Sequence, residues 1–200
     1  MESASVVSPA WLAERTESVT VVDVREERDF REMGHVPGAV NVPFERFRDP
    51  GNVAEGMLPD PEQFAEVLGA AGIGSEDTIV AYDDDRGGYA ARFLLTAAVS
   101  GHRGDLFLLD GDYTVWHQSN SIERGEVDPT PTDYAVDPPE ETPVIGREAV
   151  EDAVESETLL VDTRTPAEYD QAHIPGAVQL SWETLVDDET GRLKSRADIE

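Results

Sequence analysis

The sequence predicts an α/β protein that contains two copies of one folding unit, and two observations lead to this prediction. Short apolar runs alternate with helix-length segments, as in a parallel sheet covered by helices on both faces. Residues 22–42 (VDVREERDFREMGHVPGAVNV) also return as residues 161–180 (VDTRTPAEYDQAHIPGAVQL). Asp23 and Asp162 lie 139 residues apart (162 − 23), and the HVPGAV and HIPGAV blocks lie 138 apart (173 − 35). A repeat of this length, with its order retained, indicates a tandem architecture.

The elements of the first copy each follow from a local signal. Ser8-Pro9 and Asp60-Pro61 each pair an N-cap residue with a proline at the first helical position. Behind Asp60, an apolar stripe with helical spacing runs to Ala71, and Gly72 ends it. Uninterrupted apolar runs predict buried parallel strands. The predicted helices span 9–14, 27–33, 61–71, 89–100 and 113–118, and the predicted strands span 19–23, 39–42, 78–82 and 106–109.

The copies are separated by residues 119–143, which contain five prolines among threonine and acidic residues. This composition predicts a stiff linker, and we expect Tyr134 and Val136 to hold it along the first domain. We therefore assign residues 1–118 to a first domain, 119–143 to the linker and 144–200 to the N-terminal part of a second domain. Within the second domain, a helix is predicted over 147–155 and a strand over 158–162. Compared with the first copy, the second copy lacks its later strands and helices within these 200 residues. We therefore expect it to expose apolar faces and unpaired strand edges.

The charge of the chain disfavours nucleic-acid and membrane partners. The formal net charge is −28 and the pI is about 4.2. Of the 15 basic residues only Lys194 is lysine, and the acidic residues are dispersed along both copies. Such an acidic surface repels phosphates and anionic lipids. It resembles the surfaces of halophile proteins, where salt screens self-repulsion. An ordinary acidic protein is the alternative.

No cysteine occurs in the 200 residues. Disulfides, cysteine-ligated metals and thiolate catalysis are therefore excluded for these residues. We predict neither a cofactor nor a metal. The N-terminal residues do not have the pattern of a secretion signal, and no apolar run approaches the length of a membrane span, so we predict a soluble cytoplasmic protein.

The repeated pattern V-D-x-R, an aromatic residue, then HVPGAV or HIPGAV resembles the opening signature of rhodanese domains. Two such domains in tandem resemble the thiosulfate and 3-mercaptopyruvate sulfurtransferases. The resemblance implies a rhodanese-like five-stranded parallel sheet flanked by helices, with the second copy incomplete. It also implies transfer of sulfane sulfur from a small-molecule donor, thiosulfate or 3-mercaptopyruvate, to a thiophilic acceptor such as cyanide. In that family the transfer passes through a cysteine persulfide in the C-terminal domain.

The loop after strand 78–82 corresponds to the active-site loop of the family. It contains Asp83, Asp84, Asp85, Arg86, Gly87 and Gly88. Asp83 stands where the family pattern has cysteine, and an aspartate cannot hold a persulfide, so the resemblance implies a degenerate first copy. On the spacing of the repeat, the equivalent position in the second copy lies at about residue 222. We therefore expect the nucleophilic cysteine beyond Glu200 and no catalytic residue among the 200.

On this basis we expect the chain to be part of a longer protein or a shortened sequence, inactive on its own. The alternative is a non-catalytic rhodanese-like module that binds or regulates. A cysteine at about position 222 would favour the enzyme, and an aspartate or glycine there would favour the module.

Two groups of residues admit both a catalytic and a structural interpretation. The aspartates after residue 82 could bind a metal or accept phosphate, but capping of the next helix by Asp83 and its neighbours is favoured. His35 and His173 could act as bases, but local bonds that fix their turns are favoured.

Arg25 and Arg164 could hold an anionic sulfur donor, or they could pair with Asp23 and Asp162 to brace their loops. We favour bracing for Arg25, because its domain has no nucleophile, and leave both interpretations open for Arg164. Glu168 places a carboxylate where some sulfurtransferases have a second arginine, which leaves the substrate undetermined.

Overall fold

The computed structural model describes residues 5–48 and 57–199 of the chain. The protein divides into two compact units, residues 1–140 and 141–200. The division falls within the predicted linker, most of which belongs to the first unit.

The first unit alternates strands and helices around one parallel sheet. Its strands are β1 (Ser5–Val7), β2 (Thr20–Asp23), β3 (Val40–Asn41), β4 (Ile79–Tyr82) and β5 (Leu106–Leu109). Its helices are α1 (Pro9–Ala13), α2 (Glu27–Glu32), α3 (Pro61–Ala70), α4 (Gly88–Val99) and α5 (Asp112–Ser119), with a 3-10 turn at Phe44–Arg46. The strand order is β1-β5-β4-β2-β3, and all the pairs are parallel. This arrangement places β4 in the middle of the sheet.

Residues of the central strand β4 alternate between two hydrophobic clusters, one on each face of the sheet. Ile79 and Ala81 face the cluster that contains Phe64 and Phe93. Their neighbours Val80 and Tyr82 face the cluster that contains Leu12, Phe30 and Trp116. Because both faces are covered, β4 is buried along its whole length, which explains its uninterrupted apolar sequence.

The predicted elements of the first unit are all present among the described residues, and no end differs from its prediction by more than one position. The strand β1 was not predicted. It pairs with β5 through Val6 and Leu108 and forms one edge of the sheet. Three residues are too few for an alternating pattern, so only the pairing partner identifies this strand.

The segment after α5 follows the surface of the first unit, as expected from Tyr134 and Val136. Both side chains pack against the cluster that contains Phe64. Tyr134 is almost completely buried. Pro129 and Pro131 therefore belong to a segment that lies along the first domain.

The second unit contains a two-stranded parallel sheet. Its elements are α6 (Arg147–Val154), β6 (Val161–Asp162), α7 (Pro166–Gln171), β7 (Val178–Gln179), a 3-10 turn at Trp182–Leu185 and α8 (Arg196–Ile199). Only two residues of the predicted strand 158–162 are in β6. The pairing of Val161 with Val178 repeats that of Val22 with Val40.

As expected, apolar side chains of the second unit are exposed. They include Leu159, Val161, Ile174, Val178 and Leu180. Val22, the counterpart of Val161, is fully buried in the first unit. The difference arises because β4 and α4 cover this region of the first unit, and the described second unit has no corresponding elements.

Candidate functional site

The loop that follows β4 is organised by the carboxylate of Asp83. Its Oδ1 accepts hydrogen bonds from the backbone N–H groups of Asp85 at 2.9 Å and Gly87 at 2.8 Å, and its Oδ2 accepts one from Ala90 at 2.9 Å. The side chain is buried. The predicted capping of the next helix by Asp83 is thus present, and the carboxylate fills the space that the loop amides surround.

Two opposing effects act on the ionisation of Asp83. Burial raises the pKa of its carboxyl group, and the three backbone N–H groups lower it. Burial is the larger effect, so the pKa lies above the ordinary value. Burial also raises the pKa of the neighbouring Asp84, although Arg25 opposes this shift.

The rest of the loop turns tightly toward α4. Arg86 and Gly87 both have positive φ, at 58° and 87°, and the side chain of Arg86 must bear the cost that glycine avoids. The N–H of Arg86 donates to Oδ2 of Asp112 at 3.3 Å. The N–H of Gly88 donates to the carbonyl of Asp85 at 3.2 Å. Among the described residues, no cluster of three or more histidine and acidic side chains could hold a metal ion.

The counterpart of this loop in the second copy is not among the described residues, which end at residue 199. Glu200 itself lies outside them. The nucleophilic cysteine expected beyond Glu200 therefore stays a prediction. Among the described residues, the loop that contains Asp83 corresponds to the active-site loop of the family that the sequence resembles.

A second polar group lies at the carboxyl end of β2, next to β4. Asp23 and Arg25 form a buried ion pair in which Nη2 of Arg25 lies 2.6 Å from Oδ2 of Asp23. Nη2 also donates to the carbonyl of Gly34 at 2.7 Å. The hydroxyl of Tyr82 donates to Oδ2 of Asp23 at 2.5 Å, and the ring of Tyr113 stacks 3.6 Å from the guanidinium carbon.

The charges of this cluster stabilise each other. Burial disfavours the Arg25 cation, but the hydrogen bond and charge of Asp23 outweigh it, so the pKa of Arg25 lies above its usual value. Burial and the nearby Asp23 also raise the pKa of Tyr82, which keeps its hydroxyl protonated. Both Nε and Nη2 of Arg25 donate to partners within the first unit, Asp23 and the carbonyl of Gly34. The structure thus agrees with the bracing role predicted for Arg25.

The second unit reproduces the pair in detail. Nη2 of Arg164 lies 2.6 Å from Oδ2 of Asp162 and donates to the carbonyl of Ala172 at 2.8 Å. The side chain of Arg164 is 47% exposed, whereas that of Arg25 is 2% exposed. The hydrogen bond from Arg164 lowers the pKa of Asp162.

The two histidines occupy matching positions. Nδ1 of His35 lies 3.0 Å from the carbonyl of Phe30, and Nδ1 of His173 lies 2.8 Å from the carbonyl of Tyr169. Each imidazole stacks on the aromatic ring of the same partner, with centroids 3.7 and 3.8 Å apart. These contacts match the predicted structural role in the turns.

Glu168 also has a local partner. Its side chain accepts from the N–H of Thr165 at 3.0 Å, and the Thr165 hydroxyl accepts from the N–H of Glu168, which together form a capping box for α7. Glu168 therefore stabilises the start of a helix that follows Arg164 directly.

The sequence profile of the rhodanese-like domain matches residues 8–119 and 147–199. The chain belongs to the rhodanese-like domain family. Because the profile matches twice, the internal repeat consists of two rhodanese-like copies. The five-stranded sheet of the first unit confirms the fold that the signature predicted.

Relatives of this rhodanese-like protein include sulfurtransferases. It is 30% identical to the thiosulfate sulfurtransferase of Corynebacterium glutamicum, over 98% of this chain and 71% of the relative. It is 31% identical to that of Pseudomonas aeruginosa, over 97% and 74%. The crystal structure of SseA from Escherichia coli, described as a 3-mercaptopyruvate sulfotransferase, matches with a TM-score of 0.82 at 25% identity, over 98% of this chain and 81% of that chain.

Sequence reasoning identified Asp23, Arg25 and the Asp83 loop of the rhodanese-like first copy but missed Tyr82 and Tyr113, the two tyrosines that contact this ion pair. Tyr82 ends the strand beside the one that ends in Asp23, and these two residues are paired in the sheet. A polar aromatic residue at that position could have indicated the contact. Tyr113 lies in α5, 88 positions after Arg25 (113 − 25), and no local pattern indicates that it covers the guanidinium.

In the part of the chain that the structure describes, no helix has the length and apolar character needed to cross a membrane.

Proposed function

We propose that this chain belongs to a thiosulfate sulfurtransferase in which the first rhodanese-like copy is structural and the second supplies the nucleophile. The observation that carries the proposal is the arrangement around Asp83. Its carboxylate occupies the ring of loop amides in the first copy. In a catalytic copy, the same kind of amide ring would stabilise a thiolate or persulfide.

The proposed reaction has two steps. A cysteine thiolate attacks the outer sulfur of thiosulfate, the S–S bond breaks, and sulfite leaves with the bonding electron pair. Cyanide then attacks the outer sulfur of the persulfide, which forms thiocyanate and regenerates the thiolate. Asp83 cannot take part because a carboxylate provides no sulfur. In this proposal the cysteine lies beyond Glu200, at the counterpart of Asp83.

The sulfur donor and acceptor proposed here are small molecules, and 3-mercaptopyruvate is the other donor considered. The names of the relatives in Corynebacterium and Pseudomonas support thiosulfate. With a net charge of −28, the protein is unsuited to bind nucleic acid or anionic membranes. We propose a cytoplasmic location, where the nucleophilic thiol is kept reduced.

The first test is an assay of the 200-residue chain with thiosulfate and cyanide. We expect no thiocyanate above the buffer blank, because no residue can form a persulfide. Turnover that remains constant per milligram through successive purification steps would contradict the proposal.

The second test uses the native protein isolated from its source. We expect an intact mass above 21.9 kDa, one reactive thiol, and thiocyanate formation that iodoacetamide abolishes. A native protein of 21.9 kDa without turnover would favour the alternative, a non-catalytic rhodanese-like module.

A further inference from the structure

Residues 129–137, here called the strap, lie along the first unit with their backbone in direct contact with the domain. The N–H of Thr132 donates to the carbonyl of Gly69 at 2.9 Å, and its hydroxyl donates to the carbonyl of Ile73 at 2.5 Å. Tyr134, two residues later, is 7% exposed. The strap is thus held by two hydrogen bonds from Thr132 and by the buried ring of Tyr134.

Three glycines of the domain allow this close approach. A Cβ on Gly69 would lie 2.8 Å from the carbonyl oxygen of Thr132, and a Cβ on Gly72 would lie 2.9 Å from that of Thr130. A Cβ on Gly101 would collide with the backbone of Asp137. These glycines line the whole length of the strap, so the surface beneath it is a groove that fits an extended backbone.

His102, at the turn after α4, connects the strap to the domain. Its Nε2 lies 2.7 Å from the carbonyl oxygen of Asp77, and its Nδ1 lies 2.8 Å from the hydroxyl of Tyr134. A carbonyl can only accept, so Nε2 bears the proton in the neutral ring. Nδ1 therefore accepts the hydroxyl proton of Tyr134. Burial raises the pKa of Tyr134, which keeps this donor protonated.

Protonation of His102 would reverse this hydrogen bond. A proton on Nδ1 would donate to the Tyr134 oxygen, and the hydroxyl proton would have to turn away and lose its acceptor. The cation would also lie between the strap and the domain, partly removed from water. Both consequences favour a state in which the strap has moved off and water surrounds the imidazolium.

The groups around His102 shift its pKa in both directions. Burial lowers its pKa, the backbone oxygen and the charge of Asp77 raise it, and Arg103 lowers it. The Asp77 carboxylate is itself bonded to Thr20 and to the N–H of Gly74. The carbonyl end of α4 also favours a cation. Burial prevails, and the pKa of His102 lies below its ordinary value.

We propose that the strap is a pH-dependent latch: neutral His102 holds Tyr134 in the groove, and protonation of His102 releases residues 129–137 from the first unit. Because the docked state disfavours the imidazolium, docking is strongest above the ordinary histidine pKa of about 6.5 and weakens as the pH falls below it. Release would lengthen the unattached segment between the two rhodanese-like copies. This inference does not depend on the sulfurtransferase proposal.

Hydrogen–deuterium exchange of the full chain, between pH 8 and pH 5.5 and corrected for the intrinsic rate, tests the latch. We expect peptides that contain Thr132 to lose protection at the lower pH, while peptides that contain β4 keep theirs. Protection of the strap that does not change with pH would overturn the proposal. Simultaneous loss of protection in β4 would also overturn it, because it would indicate global unfolding.

Three variants, His102→Gln, Tyr134→Phe and Gly69→Ala, distinguish a pH-dependent latch from a strap that is held by packing alone. His102→Gln should abolish the pH dependence of strap protection, and a dependence that persists would assign it to another group. Tyr134→Phe retains the ring but removes the donor, so the midpoint of release should shift to higher pH. A midpoint unchanged in Tyr134→Phe would exclude the hydroxyl as the partner through which His102 holds the strap.

Gly69→Ala provides the matched steric control. Gly69 lies inside α3, where alanine is favoured over glycine, so the helix itself should tolerate the change. The added methyl group blocks the Thr132 carbonyl, and strap protection should be lost at both pH values while β4 stays protected. Normal docking in Gly69→Ala would contradict the groove described above.

Discussion

Asp23 and Arg25 in the first unit, and Asp162 and Arg164 in the second, form the same ion pair in different surroundings. The shortest N–O distance is 2.6 Å in both, and each arginine donates to a backbone carbonyl of the following turn. Among the described residues, tyrosine rings lie against the arginine of the first pair but not against that of the second. The hydrogen-bond geometry is therefore set by about twenty contiguous residues, whereas burial is set by strands and helices far along the chain.

The difference in burial determines how much each ion pair contributes to stability. An exposed pair contributes little, because water solvates both charges when the pair is broken. A buried pair is not strongly stabilising as a whole, but removal of one partner leaves an uncompensated charge in a site of low dielectric constant. The same substitution should thus have different effects in the two units.

The largest difference is expected between Asp23→Ala and Asp162→Ala. Asp23→Ala should lower the free energy of unfolding of the first unit by about 3–5 kcal/mol, because Arg25 then lies buried without its carboxylate. Urea unfolding followed through the buried Trp116 measures this change.

Asp162→Ala is the matched control and should leave the unfolding curve of either unit almost unchanged. Equal losses in the two variants would show that burial does not distinguish the two pairs.

A smaller effect is expected for Tyr82→Phe, which makes the first pair more like the second. The substitution removes the hydroxyl that donates to Asp23 and accepts from the N–H of Val36. Loss of these buried bonds should cost about 2 kcal/mol, measured by the same unfolding experiment. Tyr113→Phe serves as the control, since its hydroxyl donates a long 3.3 Å bond to the carbonyl of Met33. A larger loss of stability for Tyr113→Phe than for Tyr82→Phe would contradict this prediction.

The smallest effect concerns the helices that follow the two pairs. In the second unit Thr165 caps α7, whereas Glu26 makes no side-chain cap bond for α2. Glu26→Thr copies the cap into the first unit and should raise its stability by about 0.5 kcal/mol. Thermal unfolding of Glu26→Thr beside Glu26→Ala measures the gain. If both variants have the same midpoint, the added hydroxyl makes no cap.

These comparisons show which features local sequence could predict. The ion pairs, the histidine contacts and the capping role of Asp83 each join residues within eight positions along the chain or repeat between the copies. Strands β2, β4 and β5 were predicted because a buried parallel strand is apolar throughout. Features that depend on residues close together in the sequence could therefore be predicted.

The remaining features depend on distant parts of the chain. Strand β1 is defined by its pairing with β5, and Tyr113 reaches Arg25 only through the folded sheet. The fit of the strap against Gly69 and Gly101 depends on the absence of side chains, which leaves no positive pattern in the sequence. The domain limits, the cysteine beyond Glu200 and the catalytic interpretation of Arg164 stay predictions.

The carboxylate of Asp83 also has a consequence for the evolutionary history of the first copy. Aspartate and cysteine codons differ at two nucleotide positions, so a single mutation leads only to an intermediate such as glycine or tyrosine. Glycine would leave three loop N–H groups without an acceptor, and tyrosine would not fit the buried position. A change from aspartate to cysteine would therefore pass through a destabilised protein, which favours retention of Asp83 at this position.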